Sequence, residues 1–279
     1  MRKTVFAACA GLLLAGNAAA DSYWFQRPEV LDLSDSQRVP VGAAAAAVVD
    51  LPAEQAQTIL AKPGLSLDDA DQLPYLGQRK SAQRKAEREL IADDHQLLRR
   101  SGGLLAVKPG TGPGLEFHNW HRHDDGETFV FAGRTSIQGY LRVEVQFLQD
   151  SPGSFLINPA TGKTAFVHNG GDIVVIATDG TRVLDFGPDN APYLLAVAAL
   201  NADGPRLEVQ CRAAGDSIDS IVFKGWNGAA GTDLVLKVKG PEGSVPTALP
   251  LRVAPGPQGW VLATPDRGLL AKSGYGCSS

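Results

Sequence analysis

Residues 193–211 read YLLAVAALNADGPRLEVQC, and their pattern recurs through the C-terminal part of the chain. An apolar run over 193–200 is followed by the turn residues of 201–204 and by a second β-prone run over 207–211. Apolar runs on both sides of an Asn-, Asp- and Gly-containing turn are typical of a β-hairpin. The stretch therefore predicts two paired strands.

Short β-prone runs separated by turns continue through most of the sequence after Gly103. Turn signals at 158–162, 178–180 and 201–204 are spaced about 20 residues apart, so two hairpins make a unit of about 40 residues. Residues 103–279 thus predict a mainly β domain of about four blade-like units, either a propeller, an incomplete propeller or a sandwich. The predicted strands are 104–107, 128–131, 141–148, 154–157, 165–167, 173–177, 193–200, 207–211, 220–224, 234–238, 249–253 and 260–263.

One part of this region resembles a known repeat. The segment 187–190 (GPDN), followed by the runs 193–198 and 205–209, resembles a TolB-like (Pro-Asp) β-propeller repeat. Residues 140–164 are similar to a preceding blade of such proteins. The resemblance implies a propeller-like domain that serves as a binding platform, and it implies no single chemistry because a fold does not fix a function.

The first 20 residues have the pattern of an export signal. Arg2 and Lys3 precede an apolar run over 5–15, and alanines occupy 18–20. This order of basic, apolar and small residues predicts a signal peptide at 1–20 and a periplasmic or secreted protein. The apolar run is too short to span a bilayer and no later segment approaches that length, so no membrane span is expected.

Residues 21–102 are predicted to form an N-terminal helical segment. A helix is expected to begin near Pro52 and to stop before Pro63, because proline suits a first helical turn and breaks a helix interior. Residues 78–100 predict a longer, charged helix, because Ala82, Ala86 and Leu90 follow one another at intervals of four residues. The arginines and lysines of 79–88 fit either a patch for a phosphate or an acidic partner, or a solvated helix face.

The amino-acid composition and the net charge disfavour some classes of fold and of partner. The chain has 31 Gly and 18 Pro among 279 residues and a formal net charge of −4. The high Gly and Pro content favours a turn-rich fold over a helical bundle. The negative charge disfavours nucleic acid as the main partner.

The cysteines predict one disulfide. Removal of the leader takes away Cys9 and leaves Cys211 and Cys277 in an oxidising compartment. Two unpaired thiols are the alternative. A bridge between these residues would be worth about 4 kcal/mol in loop entropy.

The densest polar cluster lies at 116–127. It places His118, His121 and His123 close to Asp124, with Glu116, Asp125 and Glu127 around them. Three imidazoles with a carboxylate suit zinc or copper. The spacing lacks the helical repeat of a specific zinc motif, so a solvated loop with a hairpin turn at 124–126 is the competing interpretation.

These patterns favour an exported propeller-like binding protein, of the inhibitor or immunity type, that acts on a protein or another envelope macromolecule. No catalytic set is evident, since Ser217 has no histidine after it to act as a base, and no cofactor is firmly implied. The alternative is a metal-binding protein or metal-dependent hydrolase that uses His118, His121 and His123. A structural envelope component is a third interpretation.

Overall fold

The computed structural model of the chain describes residues 30–33, 44–66, 80–122, 125–136, 139–147, 153–168, 175–177, 180–187, 194–228 and 230–278. Within these ranges the protein is mainly β, with three short helices. The strands are β1 (Val30–Asp32), β2 (Ala47–Asp50), β3 (Leu65–Ser66), β4 (Leu98–Ser101), β5 (Leu104–Val107), β6 (Leu115–His118), β7 (Trp120–Arg122), β8 (Asp125–Arg134), β9 (Leu141–Phe147), β10 (Gly153–Ile157), β11 (Thr164–Val167), β12 (Val175–Ile176), β13 (Arg182–Gly187), β14 (Leu194–Asn201), β15 (Gly204–Ala213), β16 (Ile218–Asn227), β17 (Gly231–Val238), β18 (Thr247–Gly256), β19 (Gly259–Thr264) and β20 (Tyr275–Ser278). The helices are α1 (Ala53–Ala61), α2 (Lys80–Asp93) and α3 (Arg267–Ser273).

The strands form four sheets, numbered here in chain order. Sheet I is β4-β5-β6, and sheet II is β1-β11-β10-β9-β8-β7. Sheet III is β12-β13-β14-β15-β20, and sheet IV is β2-β19-β18-β17-β16-β3. Consecutive strands pair antiparallel within each sheet, so each sheet is built on a meander.

Strands from distant parts of the chain complete the sheet edges. The N-terminal strands β1 and β2 pair parallel with β11 and β19, at the edges of sheets II and IV. The last strand, β20, pairs with β15 at the edge of sheet III. The N- and C-terminal parts of the described chain therefore close the ends of the meanders.

Shared apolar clusters stack the sheets in the order I, II, III, IV. Phe117 of sheet I packs with Phe129 and Phe155 of sheet II. A second cluster lies between sheets II and III, and a third lies between sheets III and IV. Burial of these faces is the main stabilising contribution to the stack.

The hairpin predicted at 193–211 is confirmed at the centre of this stack. Strands β14 and β15 pair with Asn201 opposite Gly204. Leu195 and Val197 face sheet IV, whereas Ala196 and Ala198 face sheet II. The continuous apolar run is explained by this arrangement, because both faces of β14 are buried.

The two ends of the stack differ. Helix α1 covers the outer face of sheet IV, where Ile59 packs in a cluster with Val235 and Ala263. The outer face of sheet I carries polar residues, described below. None of the four sheets closes on itself, and no apolar cluster of the described residues joins sheet I to sheet IV. The mainly β class is confirmed, and a ring of four propeller blades is not.

Both helices expected in the N-terminal segment are present. Helix α1 follows Pro52 and ends before Pro63, as predicted. Helix α2 ends at Asp93, earlier than the predicted 100, because the chain turns and residues 98–101 pair with β5. Leu98, which the apolar spacing assigned to the helix, begins strand β4 instead. Its side chain is buried in the core between sheets I and II.

The predicted domain limits lie after residue 20 and after residue 102. Residues 1–20, predicted as the signal peptide, lie outside the described residues. Residues 102–103 form the hairpin turn between β4 and β5, with Gly102 in the left-handed region at φ 57°. Strands β1 and β2 of the N-terminal segment belong to sheets II and IV. The division at 102 therefore stays a prediction, and the described parts on its two sides share sheets.

Cys211 and Cys277 are joined, consistent with the expected disulfide. They stand opposite each other on β15 and β20, 66 residues apart in sequence. The bond ties the last strand to sheet III. None of the helices in the described part of the chain is long and apolar enough to cross a membrane.

Candidate functional site

The predicted histidine cluster is divided between two sheets. His118 is the last residue of β6 in sheet I, whereas His121 lies in β7 of sheet II, where its backbone is opposite Gly126. The chain leaves sheet I and enters sheet II at Asn119, so one continuous strand does not carry these histidines. His123 and Asp124 lie outside the described residues.

The other described members of the cluster lie in paired strands of sheets I and II. Glu116 and His118 share a face of β6, as their two-residue spacing predicts, and Glu116 Oε2 lies 3.2 Å from His118 Nε2. Both side chains are more than half exposed. Arg122 is opposite Asp125, consistent with a hairpin between β7 and β8. No group of three or more metal-ligating residues is positioned for a metal ion among the described residues, and zinc or copper binding at His118, His121, His123 and Asp124 stays a prediction.

The next histidine along the chain, His168, follows the last strand of the sheet II meander. Its Nδ1 is 3.3 Å from Asp185 Oδ2 on sheet III, and its backbone N–H donates to Asp185 Oδ1 at 3.0 Å. Phe166 packs edge-on against its ring. These contacts link sheets II and III.

The structure shows a different candidate site, on the outer face of sheet I. The three strands alternate strictly, with one side chain buried against sheet II and the next directed outward. Two cross-strand rows make up this outer face. The residues of the outer face are Arg99, Ala106 and Glu116 in one row and Ser101, Leu104 and His118 in the other.

A cavity of about 690 Å³ lies at one end of sheet I, where the row Arg99, Ala106 and Glu116 reaches it from the outer face. Arg99, Lys108 and Glu116 contribute charges of both signs to it, and Ala106 and Leu115 contribute apolar area. His95, which follows α2, lies at its rim and its Nδ1 is 3.1 Å from the carbonyl oxygen of Ala92. An apolar centre with mixed charges around it is the usual composition of a protein-binding surface.

Sheet I also has two edge strands, since β4 and β6 each pair only with β5 in this sheet. The edge of a sheet presents backbone donors and acceptors that another chain can use. The outer face is therefore bordered by groups suited to an extended peptide.

Three polar side chains hold α2 and sheet I against sheet II. Asn119 Oδ1 accepts a hydrogen bond from the Phe129 N–H at 2.9 Å, and Glu87 Oε1 accepts one from the Phe131 N–H at 2.8 Å. Arg100 Nη2 donates to the Phe129 carbonyl at 2.6 Å and is paired with Glu87. These side chains take the place of a neighbouring strand along the edge of β8. We call them the edge clamp.

Neither the outer face nor the edge clamp was predicted from the sequence. The sequence of β5, LLAV, is apolar throughout, so no alternation of polar and apolar residues marks one of its faces as the outer one. Glu87 belongs to a highly charged helix and gives no local sign that its carboxylate is buried. One strand of sheet I was correctly predicted, at 104–107.

No protein-family model matches the sequence, and neither a curated protein nor a solved structure matches it.

Proposed function

We propose that this is an exported binding protein, of the inhibitor or immunity type, whose outer face of sheet I engages another protein of the cell envelope. The observation that carries the proposal is the asymmetry of the stack. Helix α1 covers the outer face of sheet IV, whereas the outer face of sheet I carries exposed charged and polar side chains, including Arg99, Glu116 and His118.

The packed inner face of sheet I supports a binding role. Its inner face contributes Leu105, Val107 and Phe117 to the core with sheet II, and all three are almost fully buried. The edge clamp fixes its position relative to β8. A surface that is ordered before binding loses less conformational entropy on association.

The propeller-like interpretation is part of the proposal. Successive meanders that stack face to face through apolar cores are the arrangement of neighbouring propeller blades. Sheets II, III and IV each contain such a meander, and the described residues of the repeat-like segments at 140–164 and 187–209 belong to sheets II and III. Residues 188–190 of the GPDN motif lie outside the described residues. We infer an incomplete propeller of about four units, related to the TolB-like repeats.

Export is supported by the leader at 1–20 and by the joined cysteines. The test is to express the whole chain with its leader and to sequence the N-terminus of the product in the periplasmic or secreted fraction. We expect a mature chain that begins at Asp21. A product that retains residues 1–20 in the cytoplasm would contradict export.

Site-specific photocrosslinking tests the binding surface. A photoreactive amino acid at Ala106, in the centre of the outer face, is expected to give one discrete adduct with an envelope protein. The matched control position is Lys237, an exposed residue of sheet IV at the other end of the stack. Charge reversal by Arg99→Glu should reduce the Ala106 adduct. Equal adducts at both positions, or none at Ala106, would contradict the proposal.

Measurement of the metal content distinguishes the metal-binding alternative from the proposed binding protein. The mature wild-type protein and its His121→Ala variant would be analysed side by side for zinc and copper. One equivalent of metal that is lost in the variant would replace the present proposal with the metal-dependent one.

A further inference from the structure

A second cavity, of about 560 Å³, lies on the opposite side of β4 from the outer face. Three arginines line it: Arg84 and Arg88 from α2, and Arg100 from β4. The hairpin turn at 102–103 and the edge of β8 at 128–130 form its other walls. We call it the arginine pocket.

The charge of this pocket is unbalanced. Glu87 is the one acidic residue among the described residues that line it. Its carboxylate is already engaged, because Oε1 pairs with Arg100 and accepts the hydrogen bond from the Phe131 N–H. Three guanidinium groups and one carboxylate leave a net charge of +2.

The arginines are available for a ligand. Arg84 and Arg88 are exposed and stand one helical turn apart, and Arg88 Nε donates to the Arg84 carbonyl at 3.2 Å. Neither guanidinium is paired with a carboxylate within the described parts of the chain. Residues four apart on a helix lie on the same face, so both groups can approach one ligand.

Arg100 provides a second, independent observation. Its Nη2 donates hydrogen bonds to Glu87 and to the Phe129 carbonyl, whereas its Nη1 is buried and has no hydrogen-bond partner among the residues that the structure describes. Buried polar atoms are almost always partnered, so Arg100 has a donor that its protein contacts leave unused. A phosphate oxygen is a suitable acceptor for an arginine that lines the pocket.

We propose that the arginine pocket binds a phosphate group, either as free phosphate or as a phosphate monoester on a larger ligand. A phosphate monoester carries close to two negative charges at neutral pH, which matches the net charge of the pocket. The planar donor fork of arginine fits phosphate oxygens better than the point charge of lysine does. The turn glycines 102–103 allow close approach of a ligand to the backbone.

The site is separate from the proposed partner surface. Arg99 and Ser101 point to the outer face, whereas Arg100 lies between them in sequence and faces inward. The two proposals can therefore fail independently, since phosphate binding requires no envelope partner.

Isothermal titration calorimetry on the full mature chain tests the proposal. Inorganic phosphate, glycerol 3-phosphate and malonate would be titrated at constant ionic strength and neutral pH. Both phosphates are expected to bind more tightly than malonate. Tighter binding of glycerol 3-phosphate than of inorganic phosphate would identify an esterified ligand, and the reverse would identify free phosphate.

Matched charge variants complete the test. Arg84→Gln with Arg88→Gln should weaken phosphate binding by about tenfold or more, because two charge-assisted contacts are lost. Arg99→Gln with Lys108→Gln removes the same charge from the outer face and should leave the dissociation constant unchanged. Thermal unfolding without ligand would verify that both double variants are folded. Absence of phosphate binding by the wild type, or equal weakening in the two double variants, would overturn the proposal.

Discussion

At the scale of single residues, buried charges connect parts of the chain that are far apart in sequence. Glu87 is only 5% exposed, and it pairs with Arg100 while accepting a hydrogen bond from β8. Asp233 of β17 is fully buried and is paired with Lys62, after α1, and with Arg252 of β18. In both cases partly exposed cations compensate a carboxylate that is almost fully buried.

Replacement of Glu87 should therefore destabilise the protein strongly. Glu87→Ala leaves Arg100 buried without its counter-charge and leaves the Phe131 N–H without an acceptor. We expect a loss of about 3–5 kcal/mol in the free energy of unfolding, measured by urea denaturation. Glu89→Ala, at an exposed position of the same helix, should change stability by less than about 0.5 kcal/mol. Similar losses in the two variants would argue against the edge clamp.

Asp233 should make stability depend on acid pH. Burial alone would raise its pKa, but hydrogen bonds from Arg252 and Lys62 and the positive charge of Arg252 outweigh burial, so the pKa is lowered. A carboxyl with a lowered pKa stabilises the fold above its unfolded-state pKa of about 4, and this contribution is lost as the pH falls through the folded-state pKa.

The corresponding variant is Asp233→Asn. Its stability deficit relative to the wild type should be largest near neutral pH and should shrink as the pH falls below about 4. Urea denaturation at a series of pH values measures this difference. Asp216→Asn removes an exposed carboxylate that is paired with Lys239, and its deficit should stay small throughout. A deficit in Asp233→Asn that does not change with pH would contradict the assignment.

At the scale of elements, α1 protects the last sheet. Ile59 is fully buried in the cluster with Val235 and Ala263, whereas the next residue, Leu60, is 36% exposed. The helix also aligns Lys62 with Asp233, at 2.6 Å. One apolar face and one ion pair thus attach this short helix to sheet IV.

Truncation of two neighbouring leucine-sized side chains measures this attachment. Ile59→Ala should cost about 2–5 kcal/mol of unfolding free energy because it leaves a cavity in a closed cluster. Leu60→Ala should cost much less, since its side chain is partly in water. Equal losses would show that α1 does not pack as described.

At the scale of the whole molecule, the stack predicts a gradient of protection. Sheet III is covered on both faces, by sheet II and by sheet IV. Sheet I is covered on one face and has two edge strands. Local opening needs less free energy where fewer apolar contacts are broken.

Hydrogen exchange followed by mass spectrometry measures this gradient. Peptides from β14 and its neighbour β15 are expected to exchange last, and peptides from β4 and β6 are expected to exchange first among the strands of the four meanders. Phosphate, if it binds in the arginine pocket, should slow exchange around 84–103 selectively. Uniform exchange across the four sheets would show that they unfold as one unit.

Local sequence patterns predicted much of the secondary structure. The apolar runs of β5, β10 and β14 each fix a strand, since a few consecutive apolar or alternating residues suffice. Turn chemistry located the bend at 158–162, where Asn158 Oδ1 accepts hydrogen bonds from the Ala160 and Thr161 N–H groups. Proline at 52 and 63 bounded α1.

By itself, then, the sequence determined the mainly β class, most strands of the meanders, the first helix and the expected pairing of Cys211 with Cys277. Only the tertiary structure decided which sheet each strand joins, that β1 and β2 complete distant sheets, and that His118 and His121 belong to different ones. It also brought Glu87 and Arg100 together at the edge of β8. The physical reason is the range of the interactions: periodicity and turn propensity act over a few residues, whereas sheet stacking and buried ion pairs depend on contacts between residues far apart in the chain.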